Sequence, residues 1–137
     1  MSFSNTYENV VLDHLFRKGT LLTPMATISV GLCTASPGEG GTSANCNEVA
    51  NSNNYRRVVT TATVWNTAVA GQISNLQEIV FLGATGNWGT VTHVALFTSN
   101  TYGLGSLIAF GALAVSQYIT ISYTTLFESG ALIFTLN

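Results

Sequence analysis

The chain has 137 residues, enough for a single domain spanning 1–137, with 47 % hydrophobic residues, only 7 % charged residues and a formal net charge of −2. The hydrophobic content argues against disorder, and four Lys and Arg in all argue against the clustered basic surface that a nucleic-acid backbone requires, so no nucleic-acid partner is expected. Soluble domains are usually about 25 % charged; here Glu78 is the only charge between Arg57 and Glu128, so much of that stretch is expected to be covered by the fold's own core or by neighbouring subunits.

In chain order, the first element is a helix over about 5–18. Asn5 followed by Glu8 has the spacing of a cap and a returning carboxylate, and Tyr7, Val10, Val11 and Leu15 recur at helical spacing. Arg17 and Lys18 fall in the last turn, where the helix dipole favours cations, and Gly19 is placed to take the left-handed stop. Next, ATISVGL over 26–32 reads as a strand with Ile28, Val30 and Leu32 facing the core. Residues 34–54, rich in Gly, Ser, Thr and Asn, read as an extended surface loop or a clipped-on arm.

The β core is predicted over 26–33 and 55–137. Residues 55–65 are rich in β-branched side chains, IVFL lies within 73–82, and the turn GATGNWG leads into VTHVALF at 91–97. LIAFGAL, QYITISYTTL and ALIFTLN follow as further strands. Roughly six to eight strands with a turn every 8 to 12 residues or so predict a mainly β chain, an antiparallel β-sandwich or barrel-like domain with one N-terminal α-helix. The uncharged run from Val94 to Phe127 is long enough to test as a membrane helix, but Gly103, Gly105 and Gly111 interrupt it and Tyr118 to Thr124 alternate like a strand. No membrane partner is expected, nor a secretory signal, since no basic region precedes an apolar core at the N-terminus.

Candidate chemistry is sparse. Cys33 and Cys46 are nucleophile candidates and His14 and His93 possible bases, but no spacing ties a Cys to a His, and the reading that suits both thiols is partial burial, with a bridge between them left open. Two His and six scattered carboxylates supply no marked metal set or glycosidase pair, and GATGNWG lacks the Lys and hydroxyl of a phosphate loop. No catalytic residue, metal or cofactor is therefore expected, and the chain is read as a non-enzyme. Tyr7, Tyr55, Arg56, Arg57 and Trp88 are instead candidate interface residues, because aromatic and Arg side chains dominate interface hot spots. Arg56 and Arg57 cannot both face one side of an alternating strand, so one is expected to pair with an intersubunit carboxylate and the other to be solvated.

The ordered set SFSNTYENVVLDHLF, ISVGLCTASP, NYRRV, ATGNWGTVTHVALF, LIAFGAL and FESGALIFTLN resembles a widespread family of small phage and prophage structural proteins. Its members are usually labelled tail fibre proteins, and some resemble capsid cement proteins. The resemblance runs in order over nearly the whole chain, with departures at Asn54 to Arg57, where the family has Gly-Tyr-Ala-Arg, and at Cys33, near a family Ser or Thr. It implies a β-rich, oligomeric virion component made in the host bacterial cytoplasm. Because a fibre usually needs an elongated repetitive region and this chain is short and lacks a repeat, the first expectation is a capsid cement or decoration protein. Such a subunit would be a homotrimer stabilising the head shell against the major capsid protein or other virion subunits. The alternative is a tail-associated or tail-fibre subunit with host-glycan binding.

Overall fold

The computed structural model describes residues 1–20 and 22–136. In chain order these form β1 (Ser2–Phe3), α1 (Asn5–Leu15), β2 (Ile28–Cys33), β3 (Val58–Thr60), a 3-10 turn (Ala62–Val64), β4 (Gln72–Ser74), β5 (Ile79–Val80), β6 (Gly89–Phe97), β7 (Leu107–Ile119), β8 (Leu126–Phe127) and β9 (Ile133–Thr135). The fold is mainly β with one helix near the N-terminus, as the sequence predicts. Its centre is an antiparallel sheet in the order β1-β7-β6-β2-β3, accompanied by the pairs β4-β9 and β5-β8. No closed barrel forms among the described residues. Asn137, the end of the predicted β core, lies outside them.

The helix is shorter than the predicted 5–18 and is capped by Ser4, not Asn5. The buried Ser4 hydroxyl accepts from the Tyr7 N–H at 3.3 Å and donates to the Leu107 carbonyl at 2.6 Å, so one side chain both starts the helix and ties it to β7. With the cap at Ser4, Glu8 stands one position too far along to return to it. The left-handed stop comes first at Arg17 (φ 56°), and Gly19, two residues on, is left-handed as predicted (φ 54°). Lys18 N–H donates to the Asp13 carbonyl at 2.8 Å and Arg17 N–H to the His14 carbonyl at 3.4 Å, the paired bonds of a Schellman stop. Of the apolar positions in the helix only Tyr7 is buried; Leu12, Leu15 and the following Phe16 stay exposed.

β2 is buried on both faces, whereas one face was expected to enter the core. It lies between β3 and β6, pairing Ser29 with Val59 and Gly31 with Ala95, so side chains on either side of the sheet meet a covered surface. On one face Val30, Leu32, Val94 and Leu96 join Tyr55, Phe81 and Trp88; on the other Cys33, Ala95, Phe97 and Leu107 pack with Cys46 of the loop. LIAFGAL and the start of QYITISYTTL, predicted as separate strands, merge into the 13-residue β7. Its pairing with β6 runs from Phe97↔Leu107 to His93↔Ala112, breaks, and resumes at Val91↔Gln117. Leu113 to Ser116 are thereby lifted out of the ladder, a wide bulge on the strand's second half. The strand pattern expected through Thr124 stops at Ile119; Ser122 turns the chain with a positive φ of 67°.

Candidate functional site

Two places stand out: a buried polar network under loop 34–54, and a charge-free exposed face beside the second half of β7. The network centres on Arg57, whose guanidinium is fully buried. Nε donates to Glu48 Oε1 at 2.8 Å and Nη2 to Glu48 Oε2 at 2.6 Å, a two-pronged ion pair. Nη1 donates to the carbonyls of Ser99 (2.8 Å), Leu104 (3.0 Å) and Thr101 (3.1 Å), and Nη2 also to Ser43 Oγ at 3.1 Å. The guanidinium lies 3.6 Å over the centre of the Phe97 ring. One side chain thus fastens loop 34–54, through Ser43 and Glu48, to the turn joining β6 and β7.

Tyr55 completes the network. Its hydroxyl donates to Glu48 Oε1 at 2.9 Å and accepts the Leu32 N–H at 2.9 Å. Burial, reinforced by the Glu48 charge, pushes the Tyr55 hydroxyl well above its ordinary pKa. Gly31 makes room for this arrangement: a Cβ there would lie 2.8 Å from Phe97 Cε2 and 3.0 Å from both Glu48 Oε1 and the Tyr55 hydroxyl. The loop continues the sheet edge where β3 leaves off, with Cys33 opposite Glu48, Val49 N–H on the Leu32 carbonyl and Thr34 N–H on the Asn47 carbonyl. It is therefore clipped onto the sheet along much of its length, one of the two forms the sequence allowed.

The sequence-predicted interface residues divide unevenly. Tyr55 is fully buried, and Arg57, Trp88 and Tyr7 nearly so. Trp88 stands edge-on to Tyr55 at 5.3 Å, and its Nε1 donates to the Asn53 carbonyl at 2.8 Å. The Tyr7 hydroxyl reaches Met25 Sδ at 3.4 Å, and burial raises its pKa. Arg56 alone of the five is exposed; its Nη1 donates to Asn51 Oδ1 at 3.1 Å and the Tyr55 carbonyl at 2.6 Å. The alternation of the two arginines is as expected, but the carboxylate that Arg57 meets is Glu48 of its own chain, not one across a subunit boundary. Glu48 was not singled out in the sequence, although it is the one carboxylate in the second half of a loop that returns beside two arginines.

Cys33 and Cys46 are free and both buried, more deeply than the partial burial expected of them. The hydrogen bond between them, followed by burial, pushes the Cys33 thiol far up, while the same bond holds Cys46 below its ordinary value. His93 stands opposite Cys33 in the β2–β6 register, yet its Nδ1 is 2.8 Å from Thr92 Oγ1. His14 is exposed on the helix. Among the described residues no cluster of His, Cys, Asp and Glu is arranged to hold a metal, and no helix is long and apolar enough to cross a membrane.

The second place is an open groove of about 690 Å³ between the bulged half of β7 and residues 123–133, lined by Leu113, Val115, Tyr123, Leu126 and Ile133 and by no charged side chain. A match to the family model described as Podophage GP4 fiber I protein gp80 extends over residues 2–135 and so includes both this groove and the Arg57 network. The chain belongs to that family. No curated protein matches the sequence. As a member of the fiber I protein family the chain is a phage fibre-type structural protein. The cement protein expected first from chain length is thereby less well supported than the tail-associated alternative, because shortness and lack of a repeat do not distinguish a compact fibre-type subunit from a shell protein.

Proposed function

We propose that this chain is a tail-associated subunit of a phage particle, acting through packing against copies of itself and other virion proteins. The observation that carries the reading is the fiber I family match across residues 2–135. The surface agrees with it. Leu12, Leu15, Phe16, Val115, Tyr118, Ile121 and Tyr123 are exposed on a chain that is 7 % charged, a pattern suited to being covered in an assembly. Catalysis has no part in this reading: both thiols are buried, and His93, opposite Cys33 across the sheet, has its Nδ1 on Thr92 Oγ1.

The test is the position of the subunit in the intact virion, by cryo-electron microscopy or gold-labelled antibody. Copies at the tail are the expected result. Copies at the threefold positions of the shell, with none at the tail, would overturn the reading and restore the cement role.

A further inference from the structure

We infer that the groove beside the second half of β7 is the surface through which copies of this chain pack on one another, a second copy presenting the same face about a shared symmetry axis. The inference rests on the reading of the chain as a self-assembling virion subunit and adds the place where assembly occurs.

Area is the first argument. A compact monomer of 14.5 kDa exposes about 6,900 Å², whereas this chain exposes 7652 Å². The excess, on the order of 800 Å², is about what one partner contributes to an interface of standard size. Part of the exposed surface is apolar lining of the groove: Val115 is 68 % exposed, Ile133 48 %, Leu126 44 % and Tyr123 42 %.

Charge identifies the occupant. No charged side chain lines the groove, and Glu78 and Glu128 bound a stretch of sequence with none between them. Two copies of such a face meet without like-charge repulsion, a condition that most protein surfaces fail when turned on themselves. Another exposed apolar patch, Leu12 and Leu15 on α1 with Phe16 just after it, is interleaved with Asp13, Arg17 and Lys18 and lacks this property.

Shape supplies the third argument. The four-residue bulge sets Val115 in the lining of the groove with Leu113, Tyr123 and Leu126, so these apolar side chains share one concave face. A symmetry axis near that face sets the apolar lining of one copy against the same lining of the next, so that one patch serves both sides of the contact. Tyr123 in its lining is of the residue type enriched in interface cores.

The experiment compares the full-length chain with Val115→Glu and Leu15→Glu by sedimentation velocity, with circular dichroism to verify folding. The wild type is expected at about two or three times the 14.5 kDa chain mass. Val115→Glu is expected to fall to the mass of one chain with an unchanged spectrum, and Leu15→Glu to remain assembled. As a readout independent of any variant, amide exchange over residues 113–126 of the wild type is expected to slow as protein concentration rises.

A monomeric wild type would overturn the inference and give the groove to a segment of another virion protein. An assembled Val115→Glu, or exchange insensitive to concentration, would reject this surface while self-assembly stands. A subunit found at the tail yet monomeric in solution would sink this inference alone, whereas a subunit found only on the shell would sink the functional reading and leave the masses unaffected.

Discussion

At the β3 edge of the sheet, charge is taken inside. Arg57 and Glu48 lose water together, and nearly every polar atom around them finds a partner. At the opposite side, around the bulge in β7, apolar side chains are left outside with no charge near them. The contrast teaches that in a charge-poor chain the few ions need not mark the contact surface. Here an arginine with the composition of a hot spot holds a loop, and the face suited to contact is made of Val, Leu, Ile and Tyr. Burying an ion pair is costly in desolvation, so the network contributes a defined position for loop 34–54 more than net stability.

The largest expected effect that would break this contrast is at Arg57. Arg57→Ala leaves the Glu48 carboxylate buried without its ion-pair partner and the Ser99 carbonyl without a donor, and is expected to cost about 3–5 kcal/mol in urea denaturation. A loss below about 1 kcal/mol would mean that the network is not a stability determinant. Tyr55→Phe removes the acceptor of the Leu32 N–H and a donor to Glu48, for about 1–3 kcal/mol.

The same variant has a pH signature. The folded-state pKa of Tyr55 lies above the unfolded value of 10.0, so the folded chain holds this proton more tightly. Its stability contribution is complete below pH 10 and is lost as pH rises beyond it, and melting temperatures above pH 10 are expected to fall less steeply in Tyr55→Phe.

Gly31→Ala tests whether the network is as closely packed as its geometry. The added methyl would press on Phe97, Glu48 and Tyr55 together, and about 1–3 kcal/mol of destabilisation is expected. The smallest effects sharpen the contrast from the other side. Arg56→Ala and Val115→Glu, both at exposed positions, are expected to change the unfolding free energy of the monomer by no more than about 0.5 kcal/mol. A large loss at Arg56 would show that the two adjacent arginines do not differ as their burial indicates.

Much of the fold was legible because local rules set it. The helix start was placed within one residue, at Asn5 where the cap is Ser4, an adjacent side chain of equal capping quality. The stop was misplaced by two residues because Arg17 takes a left-handed conformation ahead of Gly19, which takes one as well. β6 was read almost to its ends from VTHVALF. The two-sided burial of β2 was hidden, since ISVGLC alternates well enough to suggest one inward face, while Gly31 and Cys33 face a second core completed by the loop.

The site was less legible for a related reason. Arg57 and Glu48 are nine positions apart across an irregular loop, and no periodicity brings such positions together. The groove arises from a break in register between β6 and β7 that composition does not record. Sequence did show the absence of charge between Glu78 and Glu128, and that absence marks the same face.

The order of strands also sets a clock. Ser4 and β1 are made before the rest of the sheet, and their partners at 107–110 follow about a hundred positions later. At roughly 5–20 residues per second of synthesis, the N-terminal segment waits on the order of 5–20 s before the sheet can close around it. Folding is therefore completed only as the last third of the chain appears, and the groove beside β7 comes into being after every other part of the sheet.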